Sequence, residues 1–273
     1  MNPSRAQARP TRFPLRPIAA ALLSAGIASA ALAGPQDGVV RAGVASITAA
    51  GAQTRIQQSS ERAVIDWRSF GIGAAEQVLF QQPSALSATL NRVTGDQVSV
   101  LLGRLDANGR VLLLNPNGIL IGGGAQINVG SLIASTSNVS NANFMAGRLL
   151  FDQPGKPGAG IVNSGTITAA QGGLVALVAP HVRNDGLIQA RLGKVVLGAA
   201  DTFTIDLYGD ELVSLALSDA NVSGLVTQSG TIDVGGGRAV LVTAADAKNV
   251  LDNVVNMSGA IKADSAVAQG GTI

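Results

Sequence analysis

The chain contains few of the side chains on which catalysis depends. His181 is its single histidine and cysteine is absent, so there is no thiolate nucleophile and no cysteine-based zinc site. A lone histidine directly after Pro180 is typical of a structural or surface position. Gly71 and Gly73 enclose Ile72 but lack the third glycine and the helix of a dinucleotide-binding motif. We therefore expect no catalytic residue, no metal site and no cofactor.

One group of carboxylates could perform acid–base chemistry. Enzymes that cleave polysaccharides use paired carboxylates for proton transfer, and some bind calcium through them. Here the carboxylates alternate along a predicted hairpin, which favours a solvated face, and an aromatic content of 3 % leaves few rings on which sugars could stack. A β-helical carbohydrate-active enzyme or a surface-binding module is therefore kept as the alternative function. The carboxylates are Asp201, Asp206, Asp210, Glu211 and Asp219.

The composition narrows the fold class. The 273 residues are 47 % apolar and 13 % charged, and they include 34 glycines. Disorder is excluded because aliphatic residues are abundant and the net charge is small. Collagen is excluded because the glycines have no three-residue period. These features indicate an aliphatic β protein with frequent turns.

The first 33 residues are typical of a secretory signal peptide. Four arginines precede an apolar stretch from Ile18 to Leu32, and small residues stand at Ala31 and Ala33. Cleavage is predicted between Ala33 and Gly34, which leaves one domain over residues 34–273. A membrane anchor is the alternative, but this apolar stretch has about 15 residues where about 20 are needed to span a bilayer. The arginines are Arg5, Arg9, Arg12 and Arg16.

Removal of the signal peptide changes the charge balance. The whole chain has 19 basic and 17 acidic residues, and four of the basic ones lie in the signal peptide. The mature chain then has 15 basic and 17 acidic residues, a formal net charge of −2. The excess of basic residues thus belongs to the signal peptide, and the charge of the mature chain gives no reason to expect a nucleic-acid partner.

A repeat runs through the second half of the chain. The segments NSGTI, NDGLI, QSGTI and SGAI place glycines at 165, 186, 230 and 259, at spacings of 21, 44 and 29 residues. A second apolar run follows each of the first three, for example Leu174 to Ala179. A short strand, a tight turn and a second strand repeated about every 20 residues predict a solenoid of stacked coils.

A parallel β-helix accounts for this pattern. Its coils stack about 4.8 Å apart around a narrow aliphatic core, and its corners favour residues that tolerate positive φ. We expect Asn163 and Asn184 at corners, where a buried asparagine can bond to the next coil and form a ladder. The other predicted corner residues are Gly165, Gly186, Gly230 and Gly259.

The spacing of 44 residues predicts an excursion from the coil. Two alternating runs, residues 202–207 and 212–217, surround Gly209 and Asp210 and indicate an antiparallel hairpin outside the solenoid.

Five ordered segments in the first half carry a family resemblance. They are IDWRSFGIG from Ile65, VLFQQPS from Val78, SATLNRVTG from Ser87, LLGRLDANGRVLLLNPNGIL from Leu101 and INVGSLIASTSNVSNANFMAG from Ile127. Together they resemble the amino-terminal two-partner secretion (haemagglutination activity) domain of filamentous-haemagglutinin-like exoproteins. The resemblance implies a right-handed parallel β-helix with an amino-terminal cap and extra-helical hairpins.

The resemblance also implies an export route. Such proteins cross the inner membrane of a Gram-negative bacterium by the general secretory machinery. An outer-membrane β-barrel transporter then captures the amino-terminal domain in the periplasm through its own periplasmic domains, and the chain becomes secreted or cell-surface material. The following rod is commonly an adhesin or haemagglutinin that binds host-cell or surface receptors, and we expect this role here. The last residues, Gly270 to Ile273, look like the opening of a further repeat, so a longer natural exoprotein is expected.

The segment NPNGI, Asn115 to Ile119, is the most specific of these motifs. Pro116 fixes φ near −65°, and Asn117 and Gly118 accept left-handed conformations, so a tight turn is predicted between two apolar runs. Two roles stay open for Asn115, Pro116, Asn117, Gly118 and Ile119: a corner that fixes the first coils, or a direct contact with the transporter. Both roles would follow if a partly folded chain offered strand edges to the transporter.

Overall fold

The computed structural model describes residues 34–206, 213–216, 224–243 and 254–263, and almost all of its regular structure is β-strand. The first half contains β1 (Val39–Ala42), β2 (Ala45–Ala50), β3 (Gln53–Gln58), β4 (Arg62–Trp67), β5 (Gln77–Gln81), β6 (Ala88–Val93), β7 (Ser99–Leu101), β8 (Arg104–Ala107), β9 (Arg110–Leu114), β10 (Ile119–Ile121), β11 (Gln126–Val129), β12 (Ser131–Ser135) and β13 (Asn138–Val139). The second half contains α1 (Asn141–Met145), β14 (Leu149–Gln153), β15 (Gly160–Asn163), β16 (Thr166–Ala169), β17 (Leu174–Ala179), β18 (His181–Asn184), β19 (Leu187–Gln189), β20 (Lys194–Ala199), β21 (Thr202–Ile205), β22 (Val213–Ala216), β23 (Leu225–Gln228), β24 (Thr231–Asp233), β25 (Arg238–Thr243), β26 (Val254–Met257) and β27 (Ala260–Lys262).

Successive strands wind around three faces, and strands of neighbouring coils pair in parallel. In the described ranges, the eight-stranded face has the order β1-β4-β6-β9-β12-β17-β20-β25, and the six-stranded face has the order β26-β23-β18-β15-β10-β7. The nine-stranded face has the order β2-β3-β5-β8-β11-β16-β19-β24-β27. The predicted parallel β-helix is therefore confirmed. The sequence pattern indicated two strands in each coil, whereas the structure has three. The third strand lies on the six-stranded face and directly follows the strand on the eight-stranded face, as β18 follows β17.

The first coil is closed by antiparallel strands. β1 pairs antiparallel with β4, and β2 pairs antiparallel with β3 over six residue pairs. Beneath this cap, the Trp67 indole donates to Asn91 Oδ1 at 3.0 Å and meets the Phe70 ring edge to face. Large rings fill this end because the cap leaves no preceding coil to occupy the core. The amino-terminal cap implied by the family resemblance is thus present.

Two hydrophobic cores lie on opposite sides of the eight-stranded face. Inside the coil, isoleucine, valine, leucine and alanine stack in columns, which matches the low aromatic content. The outer side of the same face is covered by the accessory layer, which we define as α1 with the antiparallel sheet β13-β14-β21-β22. β9, β12 and β17 are consequently buried at every position. Their uninterrupted apolar sequences reflect this burial on both faces.

The predicted hairpin forms one half of the accessory layer. β21 pairs antiparallel with β22, and the residues of the turn between them lie outside the described ranges. The other half, β13 with α1 and β14, leaves the coil after β12 and was not predicted. β14 pairs antiparallel with β21, and the Phe151 and Phe203 rings stack with centroids 4.1 Å apart.

Arg92 fastens the accessory layer to the early coils. Its guanidinium pairs with Asp66 at 3.2 Å and donates to Asn138 Oδ1 at 2.7 Å. It also donates to the Val139 carbonyl and to Asn141 Oδ1, each at 2.8 Å. One side chain on β6 therefore bonds to three residues at the start of the accessory layer and ties them to the early coils.

The repeated glycines occupy one corner of the coil. A Cβ built on Gly186 would lie 2.1 Å from the Gly165 carbonyl oxygen, one on Gly230 would lie 2.1 Å from that of Gly186, and one on Gly259 would lie 2.2 Å from that of Gly230. The φ angle of none of these four residues lies in the left-handed region. Close approach of stacked backbones, and not positive φ, is therefore the reason for glycine here.

A ladder of amide side chains runs beside this corner. Asn163 Nδ2 donates to Asn184 Oδ1 at 2.7 Å, and Asn184 Nδ2 donates to Gln228 Oε1 at 2.8 Å. All three residues are fully buried. The expected ladder thus links side chain to side chain across coils, and it fixes their register because a shifted coil would leave buried amides unpaired.

We expect Gly186→Ala to lower the free energy of unfolding by about 2 kcal/mol or more, because the new methyl group would overlap a backbone carbonyl that cannot move freely. Urea unfolding of the exported chain measures this. Gly123→Ala is the matched control, since its Cβ would meet nothing closer than the Ser164 carbonyl oxygen at 3.8 Å. Equal stability of the two variants would contradict the explanation.

Candidate functional site

The segment from Asn115 to Ile119 forms a tight turn between β9 on the eight-stranded face and β10 on the six-stranded face. The Gly118 amide donates to the Asn115 carbonyl at 3.1 Å, which closes a four-residue turn with Pro116 at its second position. The turn lies among the early coils, where β10 pairs with β7 of the preceding coil and β15 of the following one.

Asn115 is fully buried and uses its whole side chain within the protein. Its Nδ2 donates to the Gln97 carbonyl and to Ser99 Oγ, each at 2.9 Å. Its Oδ1 accepts from the Asn117 backbone amide at 2.9 Å and from Asn117 Nδ2 at 2.8 Å. Asn115 therefore shapes the turn and binds it to the preceding coil, and its side chain is fully engaged before any partner arrives.

Asn117 extends this attachment along the preceding coil. Its Nδ2 also donates to the Gly95 carbonyl at 2.9 Å, and the Pro116 carbonyl accepts from the Lys156 amide at 2.9 Å. Lys156 belongs to the segment that returns from the accessory layer. The turn consequently contacts the preceding coil, its own coil and the segment around Lys156 that returns from the accessory layer.

The last two residues of the motif face inwards. Gly118 has φ of +115°, and a Cβ there would lie 3.0 Å from the Gly160 carbonyl oxygen, so both conformation and space require glycine. Ile119 is 2 % exposed and belongs to the inner core. Only Pro116 and Asn117 are half-exposed, which leaves them as the members that a partner could reach.

An apolar groove of about 470 Å³ lies on one side of the turn, along the six-stranded face. Val98, Leu120 and Leu225 line it with exposures of 47 %, 37 % and 39 %, high values for large aliphatic side chains. His181 on β18 lines the same groove and is half-buried. The groove is thus lined mainly by aliphatic side chains, with the imidazole of His181, the guanidinium of Arg183 and the hydroxyl of Thr227 along it.

A polar cleft of about 560 Å³ lies on the other side of the turn. Arg68 and Lys156 contribute positive charge, and Asn117 lines both this cleft and the apolar groove. Within the described part of the chain, Ser69 Oγ and Asn117 Oδ1 are buried without a hydrogen-bond partner. Both atoms are shielded from solvent, so each is a locally unsatisfied polar group at the base of the cleft.

Asp96 adds a negative charge at the rim of the polar cleft. The Gln97 side-chain amide donates to Asp96 Oδ1 at 3.0 Å. This hydrogen bond, then one from the Asp96 backbone, and finally attraction to Lys156 lower the pKa of Asp96 below its ordinary value. The carboxyl is ionised at neutral pH, so the rim carries charges of both signs.

The other predicted residues are dispersed over the fold. Asp201 is buried, Asp206 is exposed, and Asp210, Glu211 and Asp219 lie outside the described ranges, as does Ala33. Among the described residues, no three histidine or acidic side chains are placed to hold a metal ion, and no helix is long and apolar enough to cross a membrane. Gly34 lies beside Glu76 at the cap.

The residues that hold the turn were only partly evident from the sequence. Gly95, Gln97 and Ser99 lie in or next to quoted segments, but nothing in their spacing pointed to Asn115. Lys156 lies in a stretch between Pro154 and Pro157 that indicated only a loop. Lys156 and Pro116 are about 40 positions apart in sequence, so local patterns could not reveal their contact.

A capped parallel β-helix with an extra-helical sheet and an NPNG turn between early strands is the architecture that the family resemblance implies. Residues 31–273 match the family model described as the TPS secretion domain, and the chain belongs to this two-partner secretion family. Members are secreted exoproteins of Gram-negative bacteria, and membership implies an outer-membrane transporter as partner.

Relatives and solved structures agree with this assignment. Two heme/hemopexin-binding proteins of Haemophilus influenzae are 38 % and 34 % identical over 210 and 241 residues, which are 74 % and 80 % of this chain. Those regions are 23 % and 25 % of the relatives, so the chain spans about a quarter of their length.

The secretion domain of HMW1 from Haemophilus influenzae superposes with a TM-score of 0.78 at 34 % identity, covering 87 % of this chain and 61 % of that one. The filamentous hemagglutinin secretion domain gives a TM-score of 0.50 at 17 % identity, covering 87 % of this chain and 99 % of that one, and it supports the fold alone.

We expect Asn115→Ala to lower the free energy of unfolding by about 3 kcal/mol, because it removes four hydrogen bonds and leaves buried groups of Ser99 and Asn117 without partners. Chemical denaturation followed by circular dichroism measures this. Asn128→Ala is the comparison, since Asn128 is half-exposed and makes one bond, to Asp106 at 3.1 Å. A loss no larger than that of Asn128→Ala would show that the turn tolerates disruption.

Proposed function

We propose that this domain directs export of its exoprotein by binding the periplasmic domains of an outer-membrane β-barrel transporter. The single observation that carries the proposal is the exposed, largely apolar groove beside a turn whose Asn115 side chain is fully used in holding the early coils together. Family membership supplies the class of partner. The groove beside the turn is the surface at which we propose that this partner binds.

The proposed contact surface is the ridge of Pro116 and Asn117 together with the depressions on either side of it. The apolar groove favours aliphatic or aromatic side chains of the partner, and burying Leu120 and Leu225 would provide hydrophobic binding energy. In the polar cleft, the exposed side chains of Arg68, Asp96 and Lys156 are the charged groups that a partner could meet. The buried Asn115 acts indirectly by holding the ridge in place.

Addition of a partner strand at this point requires an incompletely folded chain. In the folded domain, β10 is paired on both sides, so its backbone groups are already used. If the transporter captures strand edges, it does so before β15 has docked. Recognition of the folded domain must instead use the side-chain surface described above.

The mature exoprotein is proposed to be secreted or held at the cell surface and to act by binding, without catalysis of its own. The adhesin role expected from the family resemblance stays a prediction about the parent protein. The names of the two relatives favour a second candidate for that protein, the binding of haem or haemopexin. Haemopexin binding and cell attachment by the exported exoprotein are separate assays that distinguish these candidates.

We expect Leu120→Asp to weaken binding of the domain to the purified periplasmic domains of the cognate transporter about tenfold, because a charge would enter the apolar groove. Titration calorimetry measures this, and secretion into the medium should fall in parallel. Leu86→Asp is the matched control, since Leu86 is 63 % exposed and lies outside the groove. Unchanged binding by a folded Leu120→Asp variant would remove the groove from the proposal.

A further inference from the structure

The Gly34 backbone nitrogen lies against a carboxylate in the cap. The Gly34 nitrogen lies 2.8 Å from Glu76 Oε2, and the same oxygen accepts from the Gly73 amide at 2.7 Å. Gly34 and Glu76 are both half-buried. Gly34 is also the residue that would become the first of the mature chain if the signal peptide is cleaved after Ala33.

Neighbouring contacts hold Gly34 in this position. Gln36 Nε2 donates to the Gly34 carbonyl at 3.3 Å, and the Gln36 amide donates to the Ser69 carbonyl at 2.9 Å. Next along the chain, Asp37 pairs with Arg68 at 2.5 Å. The segment that begins at Gly34 is therefore docked along the first coil, and its nitrogen is directed to a carboxylate.

Cleavage changes the chemistry of this contact. Water adds across the Ala33–Gly34 peptide bond, the carboxylate stays on Ala33, and the Gly34 nitrogen becomes an amine that takes up a proton. An α-amino group with an ordinary pKa of about 7.7–8.0 is mostly an ammonium at neutral pH. A hydrogen bond from a neutral amide to the Glu76 carboxylate is thereby replaced by one in which both donor and acceptor carry a charge, which adds a Coulombic attraction.

We propose that removal of the signal peptide creates an ion pair between the Gly34 α-ammonium and the Glu76 carboxylate, so that the cap reaches its full stability only in the processed chain. The proposal rests on the cleavage position predicted from the sequence and does not depend on how the transporter is recognised. It assigns Glu76 as the receptor for the new amino terminus, a role that the surrounding motif does not indicate.

Backbone conformation explains why glycine stands at this position. Gly34 has φ of +66°, and a Cβ at this residue would lie 3.3 Å from Thr54 Oγ1, so glycine suits the position. The φ torsion exists only while residue 33 is attached. Cleavage therefore removes a conformational restriction at the same step at which it creates the charge.

The test is a double-mutant cycle on the full chain, expressed with its signal peptide and purified after export. One change inserts a serine between Ala33 and Gly34, which makes the Gly34 nitrogen an amide again and moves the ammonium one residue away. The other change is Glu76→Gln, which keeps the shape and an acceptor oxygen but removes the charge. Mass spectrometry of each product establishes the first residue, and urea unfolding gives the equilibrium constant.

We expect the serine insertion to raise the unfolding equilibrium constant about fivefold when Glu76 is intact and to change it little when Glu76→Gln is also present. Asp152→Asn, which removes an exposed carboxylate on β14, should leave the fivefold effect of the insertion intact. Equal effects of the insertion with and without Glu76→Gln would overturn the ion pair. A mature mass that does not begin at Gly34 would overturn the cleavage position.

A second measurement covers the case in which Glu76→Gln fails to fold. Reductive methylation with ¹³C-formaldehyde labels the α-amine without removing its charge, and NMR then follows its titration in the unsubstituted protein. We expect its pKa to be raised above the ordinary value, because the carboxylate stabilises the ammonium. An ordinary pKa in the folded protein would refute the ion pair.

Discussion

The structure depends on parallel backbone hydrogen bonding between coils that stack in register. This bonding brings successive corners so close together that no Cβ can be accommodated, which is why Gly165, Gly186, Gly230 and Gly259 lie one above another. Register must also be held along the strands, because slipping would turn aliphatic side chains out of the core. The amide ladder beginning at Asn163 provides that restraint from inside the coil.

The NPNG turn combines buried residues that hold the fold with half-exposed residues beside them. Asn115 and Ile119 are buried and maintain the early coils, whereas Pro116 and Asn117 remain reachable. Loss of export after a change at Asn115 would therefore not identify a transporter contact unless folding were measured independently. The surfaces flanking the turn, and not its buried residues, are where recognition can be separated from stability.

Much of the coil could be predicted from sequence because its constraints repeat. Glycine spacing located the stacked corners, although the reason is close backbone approach and not positive φ. The apolar run from Leu174 to Ala179 was predicted only as a strand of the repeat, and the structure shows that the accessory layer covers its outer side. The pairing of β14 with β21 and the contacts of Arg92 join distant segments, so no local period could reveal them.

Through the accessory layer, coils that are not adjacent in the solenoid share one hydrophobic core. Phe203 packs in the same outer core as Val64 and Leu90, although these residues belong to widely separated turns of the solenoid. The outer side of the early coils is therefore covered by residues that come much later in the sequence. Contacts between residues so far apart raise the contact order, and a high contact order is associated with slow folding. If the chain is exported from its amino-terminal end, as proposed above, the outer side of the leading coils would stay uncovered until residues near 203 had also emerged.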